Sequence, residues 1–95
     1  MLFIYFQFME LPKIGLGTYK LAGEQCANIV SSAIDNGYRL FDTALLYKNH
    51  INISDGIKQR TLQRQKMFLT SKIYHVNNID KSINQILNEL DTEYI

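Results

Sequence analysis

The feature that most limits the fold of this chain is a pattern that occurs three times along its 95 residues: a short apolar run, then an amphipathic stretch of helical period. Lys13 to Lys20 reads as a first strand with two glycines, Gly15 and Gly17, and glycine inside a strand marks close backbone approach. From Glu24 to Asn36 the residues Cys26, Ala27, Ile29, Val30, Ala33 and Ile34 fall on one helical stripe. Gly37 follows, as at a helix C-terminal cap. Tyr38 to Phe41 reads as a second strand that ends at Asp42. Leu45 to His50 reads as a loop, and a second helix is predicted over Asn52 to Leu62, with Ile53 and Ile57 inward and Gly56 weakening it. Met67 to Ile73 is a third strand. Asn78 is the predicted cap of a third helix, Ile79 to Leu90, whose stripe is Ile79, Ile83, Ile86, Leu87 and Leu90. Tyr94 and Ile95 read as the start of a fourth strand. Strand–helix alternation of this kind calls for an α/β fold with parallel strands joined by right-handed crossovers. Both a doubly wound sheet and a (β/α) barrel meet the spacing.

Charge narrows the partners. Ten basic and nine acidic side chains leave a net charge of +1, so there is no electrostatic footprint for nucleic acid or an anionic membrane surface. No apolar run is long enough for a membrane-spanning helix. Met1 to Phe8 is almost wholly apolar but lacks the basic start, long apolar region and cleavage site of a secretory signal. Residues 1–10 therefore read as an edge strand or an amino-terminal extension, and exposed they would be an aggregation hazard, while self-association is expected through an exposed sheet. The single cysteine, Cys26, excludes an internal disulfide and a multi-cysteine zinc site, and fits a reducing, cytoplasmic setting. On its helical stripe it reads as a small core residue. His50 and His75 have no partner at ligand spacing, so no metal is expected and both read as solvated loop residues. Lys58, Arg60, Arg64 and Lys66 read as a solvated face. Gly15-Leu-Gly17 is not a dinucleotide fingerprint, because position 20 is lysine.

Polar residues gather where the strands end. Thr18 and Tyr19 end the first, Asp42 the second and Lys72 the third, with Tyr47 five residues beyond Asp42. In parallel α/β folds functional groups collect at the carboxyl ends of strands. Neighbouring strands would set Asp42 beside Lys72, and an ammonium near a phenol eases release of its proton. Two readings stand at this point. One is a structural ion pair beneath a surface tyrosine. The other is a tyrosine that donates a proton to a carbonyl oxygen as it becomes an alkoxide.

Gly37-Tyr-Arg-Leu-Phe-Asp-Thr-Ala44, then Tyr47 and Asn49, resembles the first signature of the aldo-keto reductases. Leu11 to Tyr19 resembles that family's opening strand, Met67 to Lys72 its third-strand motif, and Leu87 to Leu90 with Tyr94-Ile95 the approach to its fourth strand. The match runs in order and register from about Leu11 to Ile95. It implies a fragment of a TIM (β/α)8 barrel of about three βα units over residues 11–95, and NADPH-dependent reduction of a small aldehyde or ketone. The family's catalytic set is an aspartate, a tyrosine, a lysine and a histidine. Asp42, Tyr47 and Lys72 fall on the first three, with Tyr47 as proton donor, Lys72 easing its deprotonation and Asp42 holding Lys72. Gly17, Thr18, Tyr19 and Asp42 fall beside the cofactor, and Tyr19 and Tyr74 face the substrate.

The resemblance places the histidine, and the loops that hold the cofactor phosphates, beyond Ile95. The expectation is that these 95 residues alone are inactive, a remnant unless other chains complete the barrel. A non-catalytic interaction module using an exposed sheet face is the alternative. His50 stands where the signature has a glutamate, Ser54 where it has a glycine and Ile86 where a serine is usual, which puts the packing around the second helix in question.

Overall fold

The computed structural model describes residues 10–95, so the extension predicted for residues 1–10 lies outside the described residues except for Glu10. The elements run β1 (Leu16–Gly17), α1 (Gly23–Asp35), β2 (Leu40–Asp42), a 3-10 turn (Leu45–Tyr47), α2 (His50–Lys58), a second 3-10 turn (Arg64–Lys66), β3 (Phe68–Thr70) and α3 (Ile79–Leu90). The strands form one parallel sheet in the order β1-β2-β3. Leu16 pairs with Phe41 and Phe41 with Leu69; Gly17 pairs with Asp42 and Asp42 with Thr70. Because side chains alternate along a strand, these are two rows on opposite faces. Phe41 and Leu69 are buried in the helix-side core with Cys26, Val30, Ile53, Met67 and Ile86. Asp42 and Thr70 lie on the other face and are partly or fully exposed.

Local chemistry explains the boundaries. Gly37 has φ +91°, where a side chain would be strained. Its N–H donates to the Ile34 carbonyl at 3.0 Å and the Tyr38 N–H donates to the Ala33 carbonyl at 2.9 Å, the paired bonds of a Schellman ending. The Arg39 guanidinium donates to the Ile34 carbonyl as well. Gly56 lies inside α2 because α1 leaves it no room: a Cβ there would sit 2.5 Å from the Ala27 carbonyl oxygen and 2.8 Å from Val30 Cβ. The residue that weakens the helix on propensity is the one that lets α1 and α2 touch.

Several expectations need correcting. The second helix starts at His50 and ends at Lys58, earlier at both ends than Asn52 to Leu62, because Asn49 is anchored to two neighbouring loops and α2 grows from that anchor. The first and third strands pair over fewer residues than their apolar runs suggested. Asn78 occupies the cap position of α3, but in the left-handed region (φ 54°, ψ 53°) and with no side-chain capping bond. Ile86 and Leu90 on the α3 stripe are buried, while Ile79 and Ile83 at its start are exposed. Tyr94 and Ile95 form no strand; Arg64 holds this segment, donating to the Tyr94 carbonyl at 2.7 Å and stacking its guanidinium 4.0 Å from the Tyr94 ring centroid. Arg64 is thus partly buried rather than part of a solvated face, and Arg60 and Lys58 pair with Asp35 and Asp91. The largest correction is His50, which is a buried helix residue, 1% exposed, and not a solvated loop residue. Ser54 and Ile86 are buried too, and among the described residues no buried polar side-chain atom lacks a partner. The departures from the signature are packed.

Candidate active site

The ends of the three strands converge. Lys72 Nζ donates to Asp42 Oδ2 at 2.7 Å and to the Thr43 carbonyl at 3.0 Å. Thr70 donates its hydroxyl to the other carboxylate oxygen, Oδ1. The hydrogen bond from Lys72, then that from Thr70, holds the Asp42 carboxyl below its usual range, against a smaller opposing effect of burial. In return, the bond to Asp42 holds the Lys72 ammonium above its usual range. Both side chains are about half exposed, so the pair sits in the open and is screened by water.

Tyr47 joins them from the 3-10 turn. Lys72 Nζ stands 5.3 Å from the centroid of the Tyr47 ring, within cation–π range. Tyr19 packs on Tyr47 from the β1 exit, with ring centroids 5.1 Å apart at a 52° tilt. The αL residue Lys48 (φ 57°) closes the turn, and the Tyr47 and Lys48 amides bond back to Ala44 and Leu45. Gly17 faces Asp42 across the ladder, and nothing lies within 4 Å of where its Cβ would be. Thr18 is fully buried; its amide and its hydroxyl both donate to the Asp42 carbonyl at 3.0 Å.

The structure therefore brings together Asp42, Tyr47, Lys72, Gly17, Thr18 and Tyr19. Tyr74 is 63% exposed, meets His75 edge-on with ring centroids 4.8 Å apart, and lines a cleft of about 280 Å³ with Leu45, Lys48 and Lys81. Two contributors were missed in the sequence. Thr70 is one; it lies two residues before Lys72, so strand alternation alone puts both on one face. Asn49 is the other. It is 1% exposed, donates to the carbonyls of Thr18 (2.8 Å) and Leu21 (3.0 Å), and accepts from the Thr43 hydroxyl (2.9 Å). Its place in the signature was visible, but not its task of tying the β1 exit to the β2 exit.

The model of the Aldo/keto reductase family matches residues 13–95. The chain belongs to the aldo/keto reductase family. It is 34% identical to the NADPH-dependent D-xylose reductase of Candida boidinii, in a match covering 92% of this chain and 30% of that protein. It is 41% identical to the glyoxal reductase of Bacillus subtilis, over 70% of this chain and 25% of that protein. Among solved structures, an aldo-keto reductase from a Medee basin deep-sea metagenome library superposes with a TM-score of 0.81 at 32% identity, over 94% of this chain and 34% of that one. An aldo/keto reductase from Brucella melitensis superposes at 0.83 with 28% identity, over 90% and 35% of the two chains. The chain spans about a third of the length of these aldo-keto reductases. Its three-stranded parallel sheet with helices is an α/β fragment of their TIM barrel. No helix among the described residues is long and apolar enough to cross a membrane.

Proposed function

We propose that this chain supplies the Asp42–Tyr47–Lys72 corner of a site that reduces an aldehyde or ketone with NADPH. The observation that carries the reading is the position of Lys72, bonded to Asp42 at 2.7 Å while its ammonium stands over the Tyr47 ring. When bound, the cofactor would supply the hydride that reaches the carbonyl carbon. Tyr47 would give its phenolic proton to the carbonyl oxygen as negative charge develops there. Lys72, fixed by Asp42, would steady the phenolate left behind. Asp42 is thus a holder of Lys72, and Thr70 a holder of Asp42.

The residues present fit the nicotinamide end of such a cofactor. Gly17 offers bare backbone beside Asp42 on the open face, with free space where a side chain would stand. Tyr19 borders that space, Thr18 anchors the loop that carries it, and Tyr19 and Tyr74 are the aromatic borders for a small carbonyl substrate. No residue of this chain is assigned to the cofactor phosphates. The reacting groups are half exposed, and the resemblance calls for a histidine that these residues do not include, so the 95 residues alone are expected to turn over little.

The test is a titration of isotope-labelled protein with NADPH, read by NMR, with Tyr47→Phe and Lys72→Met proteins assayed for NADPH consumption with a simple aldehyde. Perturbation of Gly17, Tyr19 and Tyr47, and loss of any aldehyde-dependent turnover by about 100-fold or more in Tyr47→Phe, are expected. Perturbations confined to other surfaces at millimolar NADPH would sink the reading.

A further inference from the structure

Strand alternation sorts the polar groups at the strand exits into two rows. Asp42, Thr70 and Lys72 share the open face. Thr18, Thr43 and Ser71 are one residue out of phase with them and face the helices; the first two are buried and Ser71 is partly buried. Two consecutive residues where α2 begins grip this second row. Asn49 takes the β1 and β2 exits, as described above. His50 takes the β3 exit: its Nε2 lies 2.9 Å from Ser71 Oγ. Its Nδ1 lies 3.0 Å from Glu89 Oε1 on α3, and Gln85 holds the other oxygen of that carboxylate at 3.0 Å.

We propose that His50 is a positioning residue for Lys72, acting through a hydrogen-bonded chain, Glu89–His50–Ser71, that fixes the exit of β3. The proposal rests on the reading of Asp42, Tyr47 and Lys72 as the reacting corner. The β2–β3 ladder ends at Thr70, whose carbonyl accepts from the Thr43 amide at 2.9 Å. Past it, the Lys72 carbonyl accepts from the Leu45 amide on the β2 side at 3.1 Å. Among the described residues, β2 is the strand that pairs with β3. One restraint lets the peptide pivot. A second, from the helix side, fixes where the long Lys72 stem starts.

The partners also set the imidazole's orientation. A carboxylate can only accept, so Nδ1–H faces Glu89, and in the neutral ring Nε2 accepts the Ser71 hydroxyl proton. This arrangement depends on the pairing of His50 with Glu89. The signature's glutamate at position 50 would place a second carboxylate against Glu89, and the two would repel. The imidazole instead serves two acceptor and donor partners on different elements, from a side chain that is fully buried.

Isotope-labelled chain tests the proposal without turnover. The readouts are the titration of the Asp42 carboxyl, which faces the Lys72 ammonium and the Thr70 hydroxyl with the Tyr47 phenol nearby, and the exchange rate of the Leu45 amide. In His50→Leu and in Ser71→Ala the Asp42 carboxyl should titrate higher, toward the ordinary carboxylate range, as Lys72 loosens. The Leu45 amide should exchange about tenfold faster, the effect of losing one net hydrogen bond. Glu89→Gln keeps an acceptor for Nδ1–H and should preserve both readouts. An unchanged Asp42 titration in folded Ser71→Ala protein would overturn the proposal. So would loss of folding in both His50→Leu and Ser71→Ala, since that outcome shows a purely structural part. Failure of NADPH to perturb Gly17 and Tyr47 would instead remove the reductase reading and leave the restraint on β3 in place.

Discussion

Lys72 Nζ lies 2.7 Å from Asp42 Oδ2, across a parallel strand pair whose register puts Asp42 opposite Thr70. The pair shifts both groups in the direction that favours their charged forms.

The pH dependence follows with definite sign. Asp42 is lowered in the folded chain, so its share of stability is present above the unfolded carboxyl value and is lost as pH falls through the folded one. Lys72 is raised, so its share is fully present below the unfolded lysine value and is lost as pH rises through the folded one. Half exposure limits the pair to about 0.2–1 kcal/mol. A carbon-13 titration of Asp42 in Lys72→Met should show its carboxyl ionising at higher pH than in the parent. An unmoved titration would mean that the ion pair does not form in solution.

Gly56→Ala sets helix propensity against packing. Alanine would gain about 1 kcal/mol in a free helix. Its methyl would meet the Ala27 carbonyl at 2.5 Å and Val30 Cβ at 2.8 Å, one a backbone atom and the other tied to the core. Separating α1 from α2 costs more than the propensity returns, leaving a net loss of about 1–2 kcal/mol. Urea unfolding of the two proteins compares them directly, and a higher midpoint in the variant would refute the steric argument.

Asn49→Ala removes three hydrogen bonds and strands the Leu21 carbonyl and the Thr43 hydroxyl, while the Thr18 carbonyl keeps the Leu21 amide. A loss of about 2–4 kcal/mol is expected, since groups buried without partners carry their full desolvation cost. Asn49→Asp retains the acceptor for Thr43 but turns a buried carboxylate oxygen toward two carbonyls, and should cost at least as much as alanine. Amide exchange at Thr18 and Leu21 is the local measurement. Parent-like exchange there in Asn49→Ala would show that the two loops are held by something else.

Lys48→Gly should stabilise the chain. Lys48 is exposed and has φ 57°, a conformation that costs a side-chain-bearing residue about 1 kcal/mol and glycine almost none. The larger backbone entropy of glycine in the unfolded chain offsets part of this, so the expected gain is about 0.5 kcal/mol. The chemical-denaturation midpoint decides it; a fall in midpoint would show that the Lys48 side chain makes a contact of value.

The sequence made the order of elements and the bounds of α3 legible, because a stripe of isoleucine and leucine at helical spacing depends only on near neighbours. It also placed Asp42 and Lys72 side by side, since parallel crossovers bring successive strand ends together. His50 was misread for the opposite reason. Its burial depends on Ser71 and Glu89, 21 and 39 residues away, and nothing near position 50 announces either partner. Asn49 was missed on the same ground, and its anchoring moved the start of α2. Asn78 shows a further limit: its residue type fits a cap, but a left-handed backbone turns the side chain from the amides it would serve. Tyr94 reads as a strand residue by type, yet Arg64 claims its carbonyl and its ring.

The two rows at the strand exits also constrain the length of the chain there. Ser71 and Lys72 point to opposite faces only because they are neighbours. A single-residue insertion between Thr70 and Ser71 would set the serine toward Asp42 and turn the lysine to the helix side, leaving the carboxylate without its cation and an ammonium facing the core. Every residue type would survive such an edit and the corner would still be lost. At this exit spacing is as strict a requirement as identity, and conservative substitutions should be tolerated where indels are not.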